Sequence, residues 1–248
     1  MTPIRLAIWS GPRNLSTAMM RSFGARADCA VSDEPFYATY LATSGAIHPM
    51  QEEIIAAHEP DPEKVIAHLI GPVPGGKSLW YQKHMPQQLY LPNIRRDWLS
   101  QMRHALLIRA PERVVASFDA KLPSPSLEDI GVPQMDRLDA ELTALKGAPP
   151  PVFKAEDVRA NPEGMLRALC AALDVPFDEA MLSWPKGARD TDGVWGAHWY
   201  MAVENSTGFA PPPGPPAELA PNLAAVAAAA RPSFERLQAR KLTPLMTP

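Results

Sequence analysis

The sequence predicts an α/β protein of three layers, a mostly parallel central sheet with helices on both faces. Two observations carry this. Short apolar runs ending in turn residues alternate with stretches whose apolar residues recur every three to four positions, the pattern of strand and covering helix in a parallel sheet. The residues with chemistry to offer cluster where the apolar runs stop, which is the end of the strands at which such sheets hold ligands.

Taken in order, Ile4 to Trp9 is an apolar run that breaks at Ser-Gly-Pro, as a buried parallel strand does. Asn14 to Ala25 follows as an amphipathic helix, with Leu15, Met19 and Phe23 on one face. Cys29 to Val31 is a second brief strand, ending at Asp33-Glu34-Pro35. Phe36 to Leu41 and Glu63 to Leu69 read as helices, and Ser78 to Lys83 as a strand. His104 to Ile108 is a clear strand, and Pro111 to Leu122 leaves it as a helix with proline in the first turn, where a missing N–H costs nothing. Met135 to Leu145 is helical and Pro151 to Lys154 is another strand. Asn161-Pro162 then caps and opens a helix carrying Leu166, Leu169 and Leu173 on one face.

A length of 248 residues suits one large domain, or one domain with an extension. The boundary falls at the run Ala210 to Pro216, so residues 1–210 form the α/β domain and 211–248 a proline-rich linker of extended polyproline conformation with a C-terminal helix packed on the same domain. In that helix, Leu223 to Leu242, Pro232 predicts a break or kink. Hydrophobic content of 46% and charged content of 21% are those of a globular protein, and a net charge of -3 argues against a nucleic-acid partner. Cys29 and Cys170 each lie in an apolar run, which predicts reduced buried thiols and not a bridge or a metal site. No stretch has the length of a membrane span or the pattern of a signal peptide, so the expected location is the cytoplasm, away from membranes. Oligomeric state leaves no mark on the sequence.

Four segments carry the chemistry. Ser10-Gly11-Pro12-Arg13-Asn14-Leu15-Ser16-Thr17 links a strand to a helix, so its backbone N–H groups and the positive helix end converge on one point suited to an anion. Arg13 adds a fixed charge there, and Ser16 and Thr17 add hydroxyl donors. The plainer alternative is a tight turn N-capped by Asn14. Arg109 ends a strand and Ser117 stands on the second turn of the following helix, so both can face a second anion beside the first. Lys83 and His84 end another strand, and His84 titrates in the range where it can take a proton from a hydroxyl or amine. Asp33 and Glu34, with Phe36 and Tyr37, stand where they can face an acceptor; an acid pair stabilised by a helix start is the competing reading. A further segment, Gly71 to Ser78, matches the Walker A pattern. A helix precedes it, a strand follows it and two prolines remove N–H donors, so it reads as a chance match.

These segments, in this order, resemble the sulfotransferase family that uses 3′-phosphoadenosine 5′-phosphosulfate. Pro12-Arg13-Asn14-Leu15-Ser16-Thr17 stands where the family has a P-K-S-G-T-T loop. Arg109-Ala110-Pro111-Glu112-Arg113-Val114-Val115-Ala116-Ser117 matches its R-x-P-x-x-V-x-x-S motif in full. Gln82-Lys83-His84-Met85-Pro86-Gln87-Gln88-Leu89 is similar to K-T-H-L-P-x-x-L. Lys154-Ala155-Glu156-Asp157-Val158 and Leu173 to Phe177 look like two later family segments, and the matches reach from residue 4 to about residue 178. Asp33-Glu34-Pro35-Phe36-Tyr37 and His198-Trp199-Tyr200 resemble more closely a subgroup of small bacterial sulfotransferase-like P-loop proteins, with plant relatives fused to an aminotransferase-like domain.

The resemblance implies the P-loop NTPase-like sulfotransferase fold and sulfuryl transfer to a hydroxyl or amine of a small-molecule acceptor, with 3′,5′-adenosine bisphosphate as product and no metal. It implies residues 10–17 on the 5′-phosphosulfate, Arg109 and Ser117 on the 3′-phosphate, and His84 as base. Arg13 and Lys83 would join His84 in the catalytic set. Lys186 and Arg189 stand in for a late R-K-G segment. Apart from the resemblance, Trp195, Trp199 and Tyr200 read either as a cover for the adenine or the acceptor or as ordinary core packing. Two family lysines are replaced, by Arg13 and by Gln82. A nucleotide-binding module without catalysis, and an ATP-dependent kinase-like enzyme using Lys77, are the other readings to test.

Overall fold

In a computed structural model the chain is described over residues 2–212, 214–215 and 218–245. Five strands form one all-parallel sheet: β1 Ile4–Ser10, β2 Cys29–Asp33, β3 Leu79–His84, β4 Arg103–Ile108 and β5 Val152–Lys154, in the order β2-β3-β1-β4-β5. The order places β1 at the centre, flanked by β3 and β4. The chain therefore reverses its direction of growth at β1, and the crevice above that point is where such sheets bind ligands.

The connecting helices are α1 Ser16–Gly24, α2 Tyr37–Ser44, α3 Gln51–Ala57, α4 Pro62–Ile70, α5 Pro86–Leu89, α6 Pro111–Asp119, α7 Val132–Lys146, α8 Ala155–Ala160, α9 Pro162–Ala172, α10 Gly196–Trp199, α11 Met201–Glu204 and α12 Pro221–Gln238. Strand residues are apolar on both sides because both faces are covered. On one face Leu6, Ile8 and Tyr81 pack with Met19 and Phe23 of α1 and Leu166 and Leu169 of α9. On the other, Ala7, Trp9, Trp80 and Leu106 pack with Val65 and Leu69 of α4 and Leu138 and Leu142 of α7. The three layers expected from the sequence are present.

Several local expectations change. The first helix starts at Ser16, not Asn14: Leu15 precedes it at φ 75° and no side chain caps it. Asn14 is instead buried, its amide directed at the Leu107 carbonyl of β4 (3.4 Å). The helix expected from Leu223 runs from Pro221 to Gln238 and passes through Pro232 without a break. Pro232 is exposed, whereas Leu223, Ala227, Ala230, Phe234 and Leu237 share a buried stripe that holds both halves down. The upper part of that stripe packs on Val114, Val115 and Phe118 of α6. Of the predicted polyproline run, Pro213 and Pro216 lie outside the described residues. After Ser78 comes β3 and not a helix, and Lys77 donates to the carbonyl of Ala27, so the Walker-like segment makes no phosphate loop. Cys29 and Cys170 are buried free thiols. Among the described residues no helix is long and apolar enough to cross a membrane.

Candidate active site

A cavity of about 360 Å³ opens above the carboxyl ends of β1, β3 and β4. Its floor is the loop between β1 and α1, from which Pro12 through Thr17 line it. Arg13 (φ 62°) and Leu15 (φ 75°) both take left-handed backbone angles, an alternation that turns successive amides toward one side. Because no side chain caps α1, its first amides remain for an anion. The loop also needs Gly11, where a Cβ would stand 2.5 Å from the carbonyl oxygen of Ile130. Ser10 and Gly11 themselves do not reach the cavity wall; Ser10 Oγ lies 4.0 Å from Met85 Sδ.

One end of the cavity is cationic. Arg13 donates from Nε to Ser117 Oγ (3.0 Å), and Arg109 donates to the Arg13 carbonyl (2.6 Å), so the two motifs separated in sequence lock together. Arg159 of α8 lines the same wall, and sequence reasoning missed it. Its only signal was its place in the Glu156-Asp157-Val158-Arg159 segment after β5. Among the described residues none of these three arginines forms an ion pair, although Glu156 of α8 lowers the repulsion on Arg109. Burial holds all three guanidinium groups below their ordinary pKa, and Arg109 is pushed down further by Arg159, Arg113 and Arg13. Concentrated, unpaired positive charge of this kind is relieved by a bound anion.

The other end holds carboxylates and rings. Glu34 lines the cavity at φ 38°, an uncommon angle for a side chain of its size. Its Oε1 accepts from Lys83 Nζ (2.7 Å) and its Oε2 from Gln88 Nε2 (2.7 Å). Lys83 also donates to Asp33 Oδ1 (2.8 Å) and to Tyr200 Oη (2.7 Å), which uses all three of its protons. Tyr200 in turn donates to Asp33 Oδ2 (2.6 Å) and accepts from Trp195 Nε1 (3.0 Å). Burial raises the pKa of Glu34, with Lys83 opposing the rise; the two carboxylates hold Lys83 well above the ordinary lysine value despite its burial. Tyr37, Tyr40, His48, Trp195 and Trp199 complete this end.

Five residues expected here do not line the cavity. His84 is one strand position beyond Lys83, so its side chain goes to the opposite face of the sheet. There it stacks on Trp9 (4.5 Å between centroids) and lies 5.7 Å from Trp98. Its Nε2–H is directed at Gln82 Oε1 (3.2 Å), and burial drives its pKa down to about 3. Phe36 packs on the same side, 5.7 Å from Trp98 and away from any acceptor. Lys186 is exposed, and the Arg189 guanidinium closes its own loop by donating to the carbonyls of Gly187 and Ala188 (2.9 Å each). Neither lines the cavity. Asp33 lies beneath Lys83 and supports it without reaching the wall. Among the described residues no group of three or more His, Cys, Asp or Glu stands together as metal ligands would.

A family model described as a sulfotransferase domain matches residues 4–241 of the chain. Two curated proteins of Arabidopsis thaliana, "Branched-chain-amino-acid aminotransferase-like protein 2" and "Branched-chain-amino-acid aminotransferase-like protein 1", are 37% and 38% identical over 204 residues, 82% of this chain. The chain spans 36% of the length of each of these relatives. Among solved structures, a sulfotransferase from Alicyclobacillus acidocaldarius superposes with a TM-score of 0.57 at 15% identity, covering 96% of both chains. The sulfotransferase domain from the curacin biosynthetic pathway superposes with a TM-score of 0.50 at 15% identity, over 92% of this chain and 97% of that one. At that identity the likeness is one of fold, and the shared fold is the P-loop NTPase-like arrangement described above.

Proposed function

Since the chain belongs to the sulfotransferase family, we propose that it transfers a sulfuryl group from 3′-phosphoadenosine 5′-phosphosulfate to a hydroxyl or amine of a small molecule. The observation that carries this reading is a single cavity with three arginines, Arg13, Arg109 and Arg159, unpaired among the described residues, at one end and the Glu34 carboxylate at the other. A donor with two separate phosphate positions fits three clustered cations that form no ion pair among the described residues, with Glu156 alone offsetting part of their charge. When bound, such a donor supplies a sulfuryl group on a phosphate leaving group.

The chain's own residues then have distinct tasks. Arg13, the free amides of α1, Ser16 and Thr17 hold the sulfated end and stabilise charge gathering on the leaving oxygen. Arg109 and Ser117, with Arg159 beside them, hold the second phosphate. Glu34 is the base in place of His84: it lines the cavity, keeps a carboxylate oxygen on Lys83, and is raised in pKa toward the range a useful base needs. His84 stacks on Trp9 beside Trp98 on the far side of the sheet and does not line the cavity. The proton leaves the acceptor for Glu34 as the new sulfur–acceptor bond forms.

The test combines calorimetry with radiolabelled transfer across an acceptor panel. The bisphosphate should bind more tightly than ATP. Glu34→Gln should lower turnover by about 10²–10⁴ and leave bisphosphate affinity unchanged, whereas His84→Gln that still binds bisphosphate should keep its turnover. The reverse pattern returns the base role to His84. Tight bisphosphate binding without turnover of any acceptor leaves a nucleotide-binding module, and preference for ATP ends the sulfotransferase reading.

A further inference from the structure

We propose that the acceptor carries a protonated amino group alongside the group that is sulfated, and that the cavity recognises it with Asp129 and a ring of aromatic side chains. This rests on the sulfotransferase reading above and adds the chemical class of the acceptor. The cavity is divided by charge. All of its unpaired cations stand at the donor end, among the described residues. At the other end Lys83 spends its protons on Asp33, Glu34 and Tyr200 and has none left for a ligand. Two carboxylates against one ammonium leave that group with a net negative charge.

Asp129, an exposed residue on the cavity's rim, adds a second negative charge there. It lines the cavity, and its described partners are the amide and hydroxyl of Ser126, both on Oδ2, which leaves Oδ1 without a partner among the described residues. Its field reaches Tyr40 and His48, while that of Glu34 reaches Tyr37. Those three side chains bridge the two carboxylates: Tyr37 and His48 are 2.7 Å apart at Oη and Nδ1, and the Tyr40 and His48 rings are 5.8 Å apart. Burial keeps His48 neutral, so it contributes no opposing charge. Trp195 stands edge-on to Tyr37 at 5.0 Å. Negative potential over electron-rich ring faces favours an ammonium and repels a carboxylate. The amino group is not consumed. The acceptor hydroxyl forms the bond to sulfur, the bond between sulfur and the phosphate oxygen breaks with its electron pair on that oxygen, and the proton goes to Glu34.

The full chain, loaded with 3′,5′-adenosine bisphosphate, is titrated with tyramine, N-acetyltyramine and 3-(4-hydroxyphenyl)propionate, which share a phenol and differ in charge. Tyramine should bind about tenfold more tightly than its N-acetyl derivative, with the carboxylate weakest. Asp129→Asn should remove most of that preference while bisphosphate affinity stays. Equal or tighter binding of the neutral or anionic compound, an unaltered preference in Asp129→Asn, or no binding of any of the three overturns the inference. Failure of the bisphosphate itself to bind is a separate result and strikes the sulfotransferase reading.

Discussion

At the residue scale, Glu34 and Lys83 behave as one titrating pair. Of the six non-glycine residues at positive φ among the described residues, three, Arg13, Leu15 and Glu34, line the cavity. Each such angle costs on the order of 1–3 kcal/mol, and it persists where the surrounding contacts hold it. For Glu34 those contacts are Lys83 and Gln88. A base must be ionised to work, and burial raises the Glu34 pKa, so turnover should fall on the acid side at a pH above the ordinary glutamate range. Lys83 opposes that rise. Lys83→Met should therefore move the acid limb of the kcat profile to higher pH, with bisphosphate binding as the check that the protein is folded. A limb that stays in place or moves to lower pH would separate Glu34 from the rate-limiting proton transfer. The acceptor-facing role read into Asp33-Glu34-Pro35-Phe36-Tyr37 divides at this scale: Glu34 and Tyr37 line the cavity, Asp33 supports Lys83 from below, and Phe36 joins the opposite core. The backbone turn at Glu34 makes that division, and no residue-type pattern announces it.

At the scale of elements, strand and helix positions were legible because their periods are. Both faces of every strand are covered, so apolar runs mark the strands and amphipathic stretches mark the helices. Which face of β3 looks into the cavity was not legible. Lys83 and His84 are neighbours, the motif named both, and the fold places Lys83 on the face shared with Tyr81 and α1, where the cavity lies, and His84 on the other. Arg159 was missed for a related reason: an arginine on a short helix has no special spacing, and its value comes from α8 lying beside Arg109. The proline rule failed in α12 because it weighs a lost hydrogen bond and ignores packing. That helix is continuous at a cost, since Pro232 still lacks an N–H for the carbonyl four residues earlier. Pro232→Ala should restore the bond on an exposed face and stabilise the protein by about 1–3 kcal/mol, seen as a higher midpoint in chemical denaturation with an unchanged slope. An unchanged or lower midpoint would mean that the proline preorganises the helix more than it weakens it.

For the whole molecule, the order β2-β3-β1-β4-β5 sets which loops meet, and it explains why motifs about 100 residues apart close on one cavity. The same architecture buries two histidines with no role in the proposed chemistry. His84 and His104 lie in the core on the far face: His104 accepts from Trp9 Nε1 at Nδ1 (3.1 Å) and its Nε2 is 2.8 Å from the Leu99 carbonyl. Burial lowers the pKa of His84 to about 3 and that of His104 to about 4. In the unfolded chain both titrate near 6.5. Between pH 6.5 and pH 4 the unfolded state therefore binds more protons than the folded one, and stability is lost as pH falls through that window, roughly 3 kcal/mol per histidine by pH 4. Glu34, whose pKa is raised, works in the opposite direction, so the total pH dependence does not isolate the histidines. A single substitution does. In His104→Gln the amide can accept from Trp9 and donate to Leu99 without titrating. Any fixed penalty of the variant appears at pH 7. The histidine's own contribution is the change from there: by pH 4 the variant should recover roughly 6–12 °C of melting temperature relative to the unsubstituted protein. Melting curves that stay parallel from pH 7 to pH 4 would show that His104 takes up its proton in the folded state at no cost, and that the buried histidines do not set the acid limit of this fold.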